Sequence, residues 1–349
     1  MQKKYIAILG LLLIAVAAFS FHMLKPEPAT VENNRTEIYP ENGVYCYTAS
    51  GNMYFLSSDD YQVLNKVLIY GGLNMAAVAD KKVYLTIRGE DSKAGKEIAV
   101  FRNGNIIKTI ELERILPEKI IYNEHDCKAY VGHIAMNRKN YITVINTKND
   151  TVEYIIPYFD KVIEDMAVYG NKLYVSSWYS RSPGELSQID TINLDDYRLI
   201  NTFPLDYIVT SMIVLDNTIY VIRSLSDEPV VYALDAESGK VEKRIELKKR
   251  YPWQIYKHQQ DGKIYIYVSH YNAENMTGDS ISCIDPETTE VIDVLPNALC
   301  AEVLGFNGKD ILIGEQKNDR LSILRNRELI KKIGIGRVIA VATVSDSSE

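Results

Sequence analysis

The side chains best suited to acid–base, nucleophilic or metal chemistry are few and scattered in this chain. The histidines are His22, His125, His133, His258 and His270. None stands in an H-E-x-x-H arrangement or in a close pair, so spacing gives no zinc site. Asp59-Asp60, Glu164-Asp165 and Asp195-Asp196 are adjacent acidic pairs. A paired-carboxylate mechanism needs two carboxyls converging at a defined separation. Neighbours on a strand point to opposite faces, and the first and last pairs fall in turns, so solvated turn chemistry is expected of them. No G-x-S-x-G elbow, phosphate loop or dinucleotide fingerprint occurs. Cys46, Cys127, Cys283 and Cys300 include no C-x-x-C motif. A Cys283–Cys300 bridge and four buried thiols are both open.

Any reactive set must therefore be assembled by the fold, and the fold is written in a repeat. A short apolar strand carrying a tyrosine recurs at Tyr84, Tyr130, Tyr174, Tyr220 and Tyr265, at spacings of 46, 44, 46 and 45 residues. Ile311 continues the series after another 46. Polar turns precede most copies: Asp80-Lys81-Lys82, Gly170-Asn171-Lys172, Asp216-Asn217, Asp261-Gly262-Lys263 and Asn307-Gly308-Lys309. These residue types supply the positive φ of tight turns. An apolar strand lies before each turn, and two more follow in hairpin order. Four short strands in about 45 residues are the blade of a propeller.

Complete units start near Asn74, Lys119, Ile163, Val209, Pro252 and Ala301. Before them, Gly43 to Tyr70 supplies three strands. After them, Val338 to Val344 is one orphan strand, whose Ala340 and Ala342 suit the crowded axis. Three strands from the N-terminus and one from the C-terminus make a seventh blade, which removes the open sheet edge. The expected fold is an all-β, seven-bladed β-propeller over residues 43–344. It follows a polar linker at 25–42 and precedes a disordered tail at 345–349.

The repeats resemble those of the YVTN-type and quinoprotein-like propellers. Tyr174-Val175-Ser176-Ser177 and Tyr220-Val221-Ile222-Arg223 are partial YVTN matches, and Val231 to Val241 is the closest single stretch. The resemblance implies a scaffold and no particular activity. The quinoprotein docking motif is matched by Ala233, Asp235, Ser238, Gly239 and Lys240, but Lys243 stands where its tryptophan belongs. No quinone, and no other cofactor, is expected.

Lys3-Lys4 followed by the uncharged stretch Tyr5 to Leu24 is an export signal. It is a cleaved signal peptide or an anchor of about 20 residues crossing the membrane. Either fate leaves the remainder outside the cytoplasm. The net charge of −7 gives no general attraction to nucleic acid.

In a propeller, the loop after each second strand and the loop into each blade share one face. Residues at the ends of second strands are Arg88, His133, Trp178, Arg223, His270 and Glu315. Following loops, Gly89 to Gly95, Tyr179 to Glu185 and Ser269 to Gly278, add Tyr179, Arg181 and Tyr271. Aromatic and Arg side chains on a rigid scaffold are the material of recognition. The expected role is a non-catalytic binding or scaffold propeller that engages a protein or glycan of the cell envelope through this face. The alternatives are a hydrolase or lactonase-like enzyme using a channel site built from several blades, and a structural subunit of an envelope complex.

Overall fold

The computed structural model describes residues 39–69, 75–90, 93–134, 139–179, 187–223, 228–272, 274–275, 277–293 and 300–345. The N-terminal segment at 1–24, most of the linker and the last four residues lie outside that set. Every regular element among the described residues is a strand, and the strands form seven antiparallel four-stranded sheets. Six sheets follow sequence order. The seventh joins Val338–Val344 to Gly43–Thr48, Asn52–Ser57 and Val63–Leu68, in that order. This is the expected 3+1 closure. Blades are numbered here from the sheet that opens at Ala76, so the closing blade is the seventh.

The innermost strands are Ala76–Ala79, Pro117–Asn123, Lys161–Tyr169, Ser211–Leu215, Pro252–Gln260, Ala301–Asn307 and Val338–Val344. Each touches the next, and the last touches the first, so the ring is closed. Hydrophobic clusters fill all seven seams between blades. Tyr45, Phe55, Val83 and Phe101 pack one face of the closing blade. Val44, Leu56, Leu312 and Ile323 pack its other face. A single blade cannot bury both of its faces alone, which is why the unit repeats. Burial falls outward: Asp310–Glu315, a second strand, is buried throughout, whereas Asn105–Glu111, an outer strand, is mostly exposed.

The predicted turns have the predicted backbone. Asp80, Lys81, Asp216, Asp261, Gly170, Gly262 and Gly308 all take positive φ. Tyr61 and Tyr197 both have φ 58°, so the two Asp-Asp-Tyr turns are built alike. Two expectations need correction. In blade 5 it is Tyr267, 4% exposed, and not Tyr265 that holds the repeat's buried position. The first hairpin there runs two residues further before its turn. The segments at 89–95 and 269–278 are not long loops. Pairing continues to Glu90↔Lys93 and Asn272↔Thr277, because the strands simply extend past the body of the blade.

Candidate functional site at one mouth of the axial channel

The seven inner strands enclose a cavity of about 420 Å³ along the propeller axis. Its lining shows what the repeat positions there. In five blades the inner strand carries a β-bulge at its second residue or, in blade 3, at its fourth. The extra residues are Glu118, Glu164, Trp253, Glu302 and Ile339. A bulge re-aims side chains at the end of a strand. It also breaks the strict alternation that would send Glu164 and Asp165 to opposite faces.

The residue after each bulge, or its equivalent, forms a ring of one side chain per blade: Met75, Lys119, Asp165, Ser211, Gln254, Val303 and Ala340. All seven line the cavity. Blades 2 to 5 contribute a polar arc, and blades 6, 7 and 1 an apolar one.

Bonds from blade to blade run along the polar arc and past its end. Lys119 Nζ lies 3.9 Å from Asp165 Oδ1. The Met212 backbone N–H of blade 4 donates to Asp165 Oδ2 at 2.8 Å. The Ile255 N–H of blade 5 donates to Ser211 Oγ at 3.2 Å. The Leu304 N–H of blade 6 donates to the Tyr256 hydroxyl at 3.1 Å, and that hydroxyl donates to Gln254 Oε1. Beyond the arc, Glu302 accepts two bonds from Arg337 at 2.9 and 2.6 Å. Such a bidentate pair is among the stronger polar contacts a protein makes.

Burial pushes the carboxyls of Glu164 and Asp165 above the usual carboxylate range. For Glu164 the Trp178 indole and Lys119 work against that shift, while Glu118 and Asp165 add to it. For Asp165 the opposing influences are Lys119 and the hydrogen bonds from Met212, Met166 and Ser211. Of the two, Asp165 lines the cavity, together with the cations Lys119 and Lys257, and a buried carboxyl perturbed in this way beside a cavity is a mark of sites of binding or proton transfer. No group of three or more His, Cys, Asp or Glu side chains among the described residues is placed to hold a metal ion.

The residues singled out from sequence end on this same face but differ in role. Trp178 is half-buried, and its indole N–H donates to Glu164, so it stands beside the mouth. Tyr179 is next to it, with Lys161 Nζ 6.0 Å from its ring centre. Arg223 is partly exposed, 4.9 Å over the Tyr207 ring and 3.6 Å from Glu228. His133 and His270 are fully buried. In each, the Nδ1–H donates to a backbone carbonyl, of Ile115 at 2.9 Å and of Arg250 at 2.8 Å. In each, Nε2 accepts from a hydroxyl on the third strand, Thr143 or Ser282, at 2.8 Å. Burial, with Arg114 adding to it, pushes the His133 pKa down to about 4, so the ring is a neutral structural tie.

Glu315 is also fully buried and accepts from Ser322 Oγ and from Asn318 at 2.5 Å. Tyr271 is buried edge-on against Trp253 at 5.3 Å. The Arg88 side chain and Arg181 lie outside the described residues. The channel mouth lies on that face; Lys119, Ser211, Gln254 and Tyr256 are not among the residues singled out from sequence, where Glu164-Asp165 is set aside as neighbours on opposite faces of a strand. Aligning the inner strands in register reveals a column of polar residues within apolar strands, the signal that would have found them. The four cysteines are free, so no Cys283–Cys300 bridge forms.

No protein-family model matches the chain, and no curated protein matches it either. Solved structures do. The periplasmic gluconolactonase PpgL of Pseudomonas aeruginosa superposes with a TM-score of 0.64 at 11% identity, over 87% of this chain and 99% of that one. A protein of unknown function from Desulfotomaculum acetoxidans gives 0.63 at 12%, over 86% and 98%. The dihydro-heme d1 dehydrogenase NirN, in complex with DHE, gives 0.58 at 13%, over 92% and 79%. Likeness at such identities is a likeness of fold alone, and the fold is a seven-bladed β-propeller shared by proteins of different chemistry.

Proposed function

We propose that this chain is a binding propeller working outside the cytoplasm, which takes a compact polyhydroxylated unit of a glycan at the loop-face mouth of its channel. One observation carries the reading: the ring at the mouth is divided into the arc Lys119, Asp165, Ser211, Gln254 and the arc Val303, Ala340, Met75. A sugar ring has the same division, with hydroxyls around its edge and C–H groups on its faces. Donors and acceptors are both present, as such a ligand requires, and a mostly apolar cavity with a few fixed polar groups is the usual form of a small-ligand site. Trp178, anchored by Glu164 beside the mouth, offers an aromatic surface to the next unit of a chain. Export or anchoring by residues 1–24 belongs to the same proposal.

A glycan array probed with purified protein, with Trp178→Ala and with Asp165→Asn tests it. The parent should retain a defined set of glycans, and both variants should bind about tenfold or more weakly while still folding. Retention of no glycan, or unchanged retention by both variants, overturns the reading.

One observation favours a second reading, a channel-site hydrolase. Burial lets Glu164 and Asp165 keep a proton to higher pH than exposed carboxyls do, and a general acid must hold such a proton. Turnover of lactones or glycosides that disappears in both Glu164→Gln and Asp165→Asn would move the assignment there. An inert parent protein would remove it.

A further inference from the structure

The cavity has a second tier, three residues deeper along the inner strands than the ring at its mouth. Val78, Lys257, Phe306 and Thr343 stand at that depth on blades 1, 5, 6 and 7, and all four line the cavity. Three residues of strand span about 10 Å. Charge is uneven between the tiers. At the mouth, Lys119 and Asp165 lie 3.9 Å apart and offset one another. Lys257 is the other charged residue of the lining, and no anion stands against it. Among the described residues its ammonium has neither an ion pair nor a hydrogen bond. It is exposed although it lies on an innermost strand, whose open side is the channel. Two blades away, the Thr343 hydroxyl is buried with no hydrogen-bond partner. A hydroxyl in that state costs free energy until an acceptor is supplied. The net charge of the chain is −7, so an uncompensated cation in the channel is a local exception that draws anions inward.

Resting on the reading of this mouth as a glycan site, we infer that the bound unit is an acidic sugar, whose carboxylate reaches the second tier and pairs with Lys257 while its hydroxyls stay at the mouth. The chemical class is a uronic acid. The Lys257 ammonium donates a charge-assisted bond to the carboxylate. The Thr343 hydroxyl turns about χ1 to another staggered position and donates a second. The sugar ring lies across Val303 and Ala340, between the tiers, and its hydroxyls reach Ser211 and Gln254. The pyranose with its carboxylate covers most of the depth, and the flexible four-carbon stem of the lysine covers the remainder.

Calorimetry with glucuronic acid and glucose at neutral pH and low salt tests the inference. Glucuronic acid should bind about tenfold or more tightly than glucose, and added salt should shrink that margin. Lys257→Gln should bring glucuronic acid down to the affinity of glucose. Thr343→Val should weaken glucuronic acid binding about threefold with no loss of stability in urea, because its hydroxyl has no partner to lose. Equal affinity for the two sugars, or a preference that survives Lys257→Gln, overturns the inference and leaves the glycan reading intact. Binding of neither sugar overturns both.

Discussion

Lys119 Nζ stands 3.9 Å from Asp165 Oδ1 across the seam between the second and third blades. That is close enough to attract and too far for a hydrogen bond. The pair opens a run of contacts through Met212, Ser211, Ile255, Tyr256 and Leu304 that ties the inner strands to one another around the axis. The same atoms thus hold the ring together and line the cavity.

Glu164 and Trp178 make the site observable without a ligand. The chain has two tryptophans, so Trp253→Phe leaves Trp178 as the sole indole. Its fluorescence should change with pH as Glu164 titrates, with a midpoint above the ordinary glutamate value of about 4.3. Burial raises the Glu164 pKa, so the direction is upward. Adding Glu164→Gln should flatten the curve.

The same shift has a consequence for stability. A carboxyl whose pKa is higher folded than unfolded binds more protons in the folded state, so stability falls as pH rises between the two values. Glu164→Gln removes the titrating group and keeps an acceptor for the Trp178 indole. Urea denaturation should find this variant more stable than the parent at pH 8, with the difference shrinking toward pH 4 as the parent becomes protonated.

His270 and Trp178 should respond oppositely to alanine. His270 is fully buried with both ring nitrogens bonded, so His270→Ala removes a partner from the Arg250 carbonyl and one from the Ser282 hydroxyl and opens a cavity between the strands. A loss of about 2–4 kcal/mol in denaturant unfolding is expected. Trp178→Ala should alter stability by far less and should lower glycan retention.

The seam between blades 6 and 7 depends on Asp310. Its carboxylate takes two bonds from Arg325 at 2.7 Å and a third from the Tyr61 hydroxyl of the closing blade. Burial alone would raise its pKa, but those bonds outweigh it and hold the carboxyl below the usual range. Asp310→Ala should destabilise the protein by about 1–2 kcal/mol, mostly because the Tyr61 hydroxyl loses its acceptor, since Arg325 is half exposed and water replaces part of its lost pairing. In the parent, the stability that Asp310 contributes should be lost as pH falls through its depressed pKa.

Much of this architecture was readable in the sequence, because the tyrosine strands recur at nearly constant spacing and the turns need residues that tolerate positive φ. The orphan strand at Val338–Val344 and the three-stranded start gave the closure directly. The mouth was read less well, for a local reason. Period-two alternation places Glu164 and Asp165 on opposite faces, and the bulge at Glu164 cancels that alternation by one residue. His133 and His270 looked like rim residues because they end their strands. The hydroxyls that bury them, Thr143 and Ser282, sit on a neighbouring strand 10 and 12 residues away. Such cross-strand partners become visible only once the register is known.

The central claim is that the divided ring at the loop-face mouth holds the ligand. A crystal structure of the protein soaked with a glycan it retains tests this most directly. The account predicts density for one sugar unit bounded by Lys119, Asp165, Ser211 and Gln254 on one side and Val303 and Ala340 on the other. Density on the outer rim or in a seam between blades, with the mouth holding only solvent, would contradict it.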